Sequence, residues 1–279
     1  KENYSIEDFK RQYEDLYQKV MGGTIEKNID TLGRIKILHI ITHLDQGGAE
    51  AVLYRLIEAT HQKYKHHVVS LHGQGVYGPM LRKIGIGVET LNIPRGKLKL
   101  AGLWQLRQII RKYNPNLIHT KLYHADLIGG LVAHFTGDPP VIWTVNSSYL
   151  GVLKKTWKTR LVRQTCAIFS NWLPTIIVAD AENTKRVNIA LGYVSENFIT
   201  INNGVDLSIF QPDKVARQRL RQELQIQEDV VLLGFIARWD PLKDHSNLLQ
   251  ALSIVKGNNR KFVCVLVGSE MTSQNATLM

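Results

Sequence analysis

Two cations flank an Asp-Pro break in the stretch "IARWDPLKDHSNLLQAL", residues 236–252. Arg238 ends a β-branched run and Lys243 stands just before a helical pattern. Arg offers a planar fork of N–H donors and Lys a compact charge, a pairing that suits a diphosphate. Asp240-Pro241 presets the turn between them, which favours a shaped site over two solvated charges. A second anion-binding feature is "HLDQGGAEAVLYRLIEA" (43–59), where Gly47 and Gly48 leave amides open at a helix start. Helix N-termini favour anions through free N–H groups and the helix dipole. A plain turn with a helix cap accounts for the same residues. The loop lacks the three spaced glycines of a dinucleotide site, and no acidic residue ends the second strand, so a nicotinamide cofactor has no support. Third, "LIHTKLYHADLIGGLVA" (117–133) places His119, His124 and Asp126 where a strand passes into a helix. His124 could hydrogen-bond a sugar hydroxyl or a phosphate, or serve as a capping or core histidine. Gly129 and Gly130 read as points of close helix–sheet packing.

The elements that would position these groups follow from hydrophobic patterning. From residue 35 onward, "IKILHII" (35–41), "HHVVSL" (66–71), "LIHT" (117–120), "VIWTV" (141–145), "TIIVA" (175–179) and "FITI" (198–201) are near-continuously apolar. Such runs suit a parallel sheet covered on both faces. Helical patterns lie between them, as in "LAGLWQLRQIIRKYN", where Leu103, Leu106 and Ile110 repeat at helical spacing and Pro115 closes the segment. Strand and helix in alternation give a doubly wound α/β domain, whose ligands bind at the carboxyl ends of the strands. His119, His124 and Asp126 are therefore expected to face that crevice.

The pattern pauses at "NNGVDLSIFQPD" (202–213) and restarts with a charged helix near 214–224, the strand "VVLLGFIA" (230–237), a helix and the strand "FVCVLVG" (262–268). The expected organisation is an N-terminal helix and linker (1–33), a complete domain (34–212) and a partial α/β domain (213–279). The last holds about half the strands that a stable parallel sheet needs, so it should be mobile or prone to aggregate. Within 4–20, Ser5 is the N-cap, and Phe9, Tyr13, Leu16, Tyr17 and Val20 share one helical face. A helix with that aromatic face must dock on something.

Bulk properties narrow the partners. The 279 residues carry 35 Lys and Arg against 24 Asp and Glu, a net charge of +11, with 44% hydrophobic residues. That composition is globular, and its charge favours an anionic partner. The basic residues are spread along the chain with no aromatic platform, which argues against nucleic acid. Cys166 and Cys264 lie in apolar runs and read as reduced core residues without metal-site spacing. No stretch is long enough for a membrane span and no signal peptide is visible, so any membrane role is peripheral, from the cytoplasmic face.

These motifs together resemble the retaining glycosyltransferases of family 4. The likeness runs from about 35 to 270 and keeps the order "GGAE", "IHTKLYHADLIGGLVA", "VIWTVNSS", "VADAENTKRVNIALGY", "INNGVDLSIFQPD", "GFIARWDPLKDHSNLLQAL" and "VLVGS". "WTVNSS" and "ARWDPLKDH" point to the branch that builds bacterial surface polysaccharides. The resemblance implies the GT-B architecture of two facing α/β domains, here one complete and one truncated. It implies that Arg238 and Lys243 bind the donor diphosphate and neutralise charge on the departing nucleotide. Gly47 and Gly48 would bring amides to the same phosphates, and His124 would contact the transferred sugar. Asn146 stands where many members carry a histidine facing the acceptor, and Lys121 replaces a residue that is often His or aromatic, so it receives no role. No Asp-x-Asp occurs, in keeping with a family that needs no metal or other cofactor. The family's pair of glutamates spaced seven apart would fall beyond Met279, and residues 4–20 resemble the family's closing helix.

The expected partners are a nucleotide sugar and a glycan or lipid-linked acceptor. A non-catalytic module that binds acceptor or membrane, with donor binding supplied by a partner, is the competing reading. In "GVLKKTWKTRLVRQTCAIF" (151–169), Leu153, Trp157, Leu161 and Ile168 share one helical face, and Lys154, Lys155, Lys158 and Arg163 lie largely on the other. Such a helix either covers the sheet with its apolar face or meets an anionic bilayer surface.

Overall fold

The computed structural model describes residues 4–22, 33–96, 99–146, 157–257, 261–269 and 271–272, with the side chains of 157, 158 and 257 excepted. The chain divides into two compact units, 1–210 and 211–279. In the first unit the elements are α1 (Ile6–Met21), β1 (Ile35–Ile41), α2 (Gly48–Thr60), β2 (Tyr64–Ser70), α3 (Tyr77–Lys83) and β3 (Gly87–Thr90). They continue as α4 (Leu100–Tyr113), β4 (Leu117–Lys121), α5 (Tyr123–His134), β5 (Val141–Val145), α6 (Trp157–Phe169), β6 (Ile176–Ala179), α7 (Glu182–Ala190) and β7 (Phe198–Thr200). The seven strands form one sheet in the order β3-β2-β1-β4-β5-β6-β7, every pair parallel.

The doubly wound architecture expected from the apolar runs is present. Burial on both faces explains why strands such as "VIWTV" carry no polar alternation. Leu38, Ile40, Ile118 and Trp143 point to the side of α4, α5 and α6 and meet Leu106, Ile110, Ala133 and Cys166. Close approach on this side depends on Gly129, where an added Cβ would lie 2.8 Å from Thr120 Cγ2. On the opposite face Ile37, Leu117, Ile142 and Val178 pack under α1 and α2.

α1 forms for local reasons and is held by distant ones. The Ser5 hydroxyl accepts from the Asp8 amide at 3.0 Å, with Glu7 and Asp8 in the first turn and Lys19 in the last, as the helix dipole favours. Its buried face is Phe9, Tyr13, Leu16, Tyr17 and Met21, while Val20 is only partly buried. Five such side chains represent on the order of 10 kcal/mol of gross burial. The helix lies against the sheet of the first unit and is tied to the far end of that unit, where Ile6 N–H donates to Val205 O at 3.1 Å. α3 and β3 went unread in the sequence because the edge strand "GVET" is short, polar and half exposed.

The second unit is a strand-helix-strand unit preceded by a helix: α8 (Lys214–Glu223), β8 (Val231–Ile236), α9 (His245–Gly257) and β9 (Phe262–Val267), with β8 and β9 parallel. Asp213 caps α8, accepting from the amides of Val215 and Ala216. Among the described residues of this unit only Arg221 and His245 are buried, and Ile236, Leu249, Ile254, Val263 and Val267 are exposed. Cys264 is accordingly half-buried, not a core residue, whereas Cys166 is buried as expected. Limited proteolysis should therefore cut the second unit first and trim the chain back toward Asp213. Equal resistance of the two units, read by mass spectrometry of the products, would contradict this.

Candidate functional site

The first group of candidates gathers where β1, β2 and β4 end. Gly47 is the N-cap of α2, and the carboxylate of Glu50 folds back on it. An added Cβ at Gly47 would lie 2.4 Å from Glu50 Oε2, whereas at Gly48 nothing lies within 4 Å. An anion of the chain itself thus already faces this helix start, and Gly48 is the open position. His43 Nδ1 lies 2.7 Å from Glu50 Oε1, without the geometry of a hydrogen bond. His124, half-buried in the first turn of α5, has its pKa lowered by burial and by the charges of His72 and His43, so the three imidazoles share one neighbourhood. Sequence reasoning singled out His124 and missed His43, His72 and Glu50, because only the strand order brings them together.

His119 and Asp126 do not face this crevice. His119 is fully buried within the sheet, with Nδ1 2.9 Å from the Tyr17 hydroxyl and Nε2 2.6 Å from Thr144 Oγ1. Side chains alternate along a strand, so His119 falls on the α1 face and Thr120 on the α5 face. Thr120 Oγ1 donates to Asp126 Oδ1 at 2.6 Å, and burial pushes the Asp126 carboxyl up to about 7. Both are interior groups.

A second constellation occupies the carboxyl ends of β4, β5 and β6. Lys121 pairs with Thr144 across β4 and β5, and Val145 with Ala179 across β5 and β6. Lys121, Asn146 and Asp180 are thereby brought to one edge, at positions two beyond His119, Thr144 and Val178 on the same face. Asn146 Nδ2 donates to Asp180 Oδ2 at 3.3 Å, and Thr184 Oγ1 donates to Asp180 Oδ1 at 2.7 Å. Lys121 is 1% exposed, its ammonium lies 5.8 Å from the Tyr13 ring centre, and Nζ has no hydrogen-bond acceptor. Burial lowers its pKa to about 8, against the opposing pull of Asp126 and Asp180.

In the second unit Arg238 follows β8 and a 3-10 turn spans Pro241–Lys243. Asp240 caps that turn through the Leu242 amide at 2.9 Å. Its other oxygen accepts from Arg238 Nε and Nη2 at 3.1 and 3.0 Å. The amide of Leu242 and then Arg238 hold the Asp240 carboxyl below its ordinary range. Arg238 and Lys243 are both exposed, so the turn presents two cations to solvent at a strand's carboxyl end. The imidazole of His245 is wedged between Phe235 at 4.9 Å and Trp239 at 4.7 Å, which fixes the turn against the start of α9. Gly268 allows the next strand end to approach, since a Cβ there would lie 2.0 Å from Ala237 O. Among the described residues no group of three His, Cys, Asp or Glu could hold a metal ion.

The glycosyltransferase family 4 model matches residues 46–209, more than half of the chain. The chain belongs to glycosyltransferase family 4. It is similar to EpsF of Bacillus subtilis, a glycosyltransferase by name, at 24% identity over 84% of this chain and 62% of EpsF. CapM of Staphylococcus aureus, a capsular polysaccharide biosynthesis glycosyltransferase, is 24% identical over 63% of this chain and 47% of CapM. Anabaena HepE, solved with UDP and glucose, superposes with a TM-score of 0.70 at 20% identity, covering 84% of this chain and 60% of HepE. A glycosyltransferase from Rickettsia africae gives 0.68 at 18% identity, over 88% of this chain and 63% of that one. The chain thus spans about half to three fifths of the length of these relatives. The structural likeness shows the fold, an α/β chain with a seven-stranded parallel sheet as in GT-B glycosyltransferases.

The helix expected over 151–169 begins, among the described residues, at Trp157. Leu153, Lys154 and Lys155 lie outside the described residues, and the side chains of Trp157 and Lys158 are not described. The remainder corrects the expected faces. Leu161 and Ile168 are exposed, whereas Arg163 is buried with its guanidinium 5.7 Å from the Tyr123 ring centre. The small residues Cys166 and Ala167 are buried in the core on the face that packs against α5, where Cys166 Sγ donates to Tyr123 O at 3.3 Å. Among the described residues no helix is long and apolar enough to cross a membrane.

Proposed function

We propose that this family 4 chain takes part in transferring a sugar, with retention, from a nucleotide-diphosphate donor to a glycan or lipid-linked acceptor in cell-surface polysaccharide synthesis. The observation that carries this reading is the Arg238–Asp240–Lys243 turn at the carboxyl end of β8. Asp240 holds the guanidinium fork in place, and a diphosphate that displaces the carboxylate gains a bidentate charged contact while Lys243 adds a second positive charge. Neutralising the departing nucleotide is the largest catalytic contribution such a pair can make. In this reading the cations do the work of a metal and no cofactor is required. HepE, solved with UDP and glucose, and CapM, named for capsular polysaccharide, support the donor and product classes. By the family resemblance, Gly48 is assigned to the phosphates, His124 to the transferred sugar and Asn146 to the acceptor. The exposed Leu161 and Ile168 support peripheral docking of α6 at an anionic bilayer on the cytoplasmic side.

Titration of the chain with UDP and other nucleoside diphosphates tests the reading. Binding should weaken about tenfold or more in Arg238→Ala, as loss of a charged bidentate contact requires. No binding of any nucleoside diphosphate, or binding indifferent to Arg238→Ala, would refute it. Turnover of a nucleotide sugar by this chain alone would eliminate the non-catalytic module, in which a partner supplies donor binding.

A further inference from the structure

We infer that the outward surface of the α4–α5–α6 layer lies flat on an anionic bilayer, with Trp104, Phe135, Ile168 and Trp172 as its apolar anchors. The inference rests on the peripheral docking proposed above, and it assigns that docking to three helices and the turns after α5 and α6 in place of α6 alone. α4, α5 and α6 cover one side of the sheet, and α5 touches both neighbours. On α4 the core is met by Leu106, Ile109 and Ile110, so helical spacing puts Trp104 and Arg111 on the opposite side, and both are exposed. On α6 the buried Arg163, Cys166 and Ala167 leave Leu161 and Ile168 pointing away from the core. Just past the ends of α5 and α6, the exposed Phe135 and Trp172 close on His134, their ring centres 5.1 and 4.4 Å from the imidazole. Large apolar side chains thus reach solvent along the whole layer, and exposed apolar surface of that extent marks an interaction site.

Charge and breadth choose the occupant. Among the described residues of α4, α5 and α6 the only carboxylate is Asp126, which is buried, while Arg111, Lys112 and Arg160 are exposed. Asp138, exposed at the margin, lies 3.1 Å from His134 Nδ1. On the other side of the sheet α1 and α2 mix the signs, with Glu7, Asp15 and Glu58 exposed beside Arg11 and Lys19. A negative surface is therefore drawn to the side of α4, α5 and α6. Neighbouring helices lie about 10 Å apart, so three make a face roughly 20 Å wide, too broad for one bound peptide segment and suited to a plane. Tryptophan favours the headgroup region, helices with an apolar outward stripe lie in the interface plane, and each nearby cation strengthens attraction to acidic lipid. Helices and strands of such a layer run side by side, so this pose leaves the carboxyl ends of the strands opening along the bilayer surface rather than into it.

The test floats the 279-residue chain with vesicles of phosphatidylglycerol and phosphatidylethanolamine, and separately with vesicles of phosphatidylcholine, while UDP binding is titrated in parallel. The chain should bind the anionic vesicles and not the neutral ones. Binding should fall about tenfold or more in the double variant Arg111→Glu, Arg160→Glu. It should fall comparably in the triple variant Trp104→Ser, Phe135→Ser, Trp172→Ser, whose positions are all exposed and so leave the fold intact. UDP affinity should be the same in every variant. No binding to anionic vesicles, equal binding to both compositions, or binding indifferent to both sets of substitutions overturns the surface. A dimer in light scattering that the triple variant dissociates gives the face to a second copy of the chain and overturns it as well. UDP binding that persists through any of these results leaves the nucleotide-sugar reading standing. Vesicle binding as expected, with no UDP binding, refutes that reading and not the surface.

Discussion

Between pH 7 and pH 5 the first unit is expected to lose about 3–4 kcal/mol of folding stability, a large share of a typical domain's total. The cause is a buried imidazole cluster beneath α1. His39 Nε2 lies 2.9 Å from His66 Nδ1, and His66 Nε2 lies 3.0 Å from Thr60 Oγ1. The ring centres of His39 and His119 are 5.3 Å apart. Burial first, and then the neighbouring imidazoles and Lys121, hold His39 and His119 well below the ordinary range. His66 is lowered to about 3, by burial and by the charges of His61 and Arg34. The sign follows directly. Below about pH 6.5 the unfolded histidines bind protons that the folded ones refuse, so stability falls with pH, by about 2 kcal/mol per group at pH 5.

Asp126 works in the opposite direction. Its carboxyl, pushed up to about 7, takes a proton in the folded chain while the unfolded carboxyl stays ionised. That returns about 2 kcal/mol over the same interval. Lys121, lowered to about 8, adds no slope below pH 7, because it is protonated in both states. Thermal or urea unfolding followed by aromatic circular dichroism from pH 7 to 5 measures the sum. His39→Gln should reduce the histidine part of the slope by about a third. A flat profile would mean that the imidazoles are already charged in the folded chain.

Most of the sheet was legible because its strands are buried on both faces, and continuous apolar runs of four to seven residues leave few other readings. The polar residues inside those runs were not legible in the same way. His119 looks like a crevice candidate until α1 supplies its cover, and the Tyr17–His119 contact joins residues 102 positions apart. Asp180 drew no attention because its significance lies in register, next to Asn146 on the adjacent strand and 34 residues away. The turn from Arg238 to Lys243 was legible for the opposite reason. Asp240 contacts residues only two positions away on either side, so the local sequence "RWDPLK" already contains the geometry. α6 was harder to read because Leu161 and Ile168 face outward, and its buried face against α5 carries Cys166, Ala167 and a buried arginine.

Tyr17→Ala should destabilise the first unit by about 3–5 kcal/mol, and it should also flatten the acid profile. Tyr17 is fully buried, its ring meets Tyr64 edge-on at 5.5 Å, and its hydroxyl is the partner of His119 Nδ1. Truncation leaves a cavity under α1 and an imidazole nitrogen with nothing to bond, two costs that add at one position. Tyr17→Phe keeps the ring and removes only the hydroxyl, so it should cost about 1–3 kcal/mol. The two variants differ further in the pH response. With α1 loosened in the alanine variant, water reaches His39 and His119, their folded pKa values rise toward the ordinary range, and the stability lost on acidification shrinks. With α1 seated in the phenylalanine variant, the histidines stay dry and the slope persists. A large loss at pH 7 with an undiminished slope would show that the cluster is shielded by the sheet and α2 alone, and that α1 is an accessory rather than the lid of the histidine core.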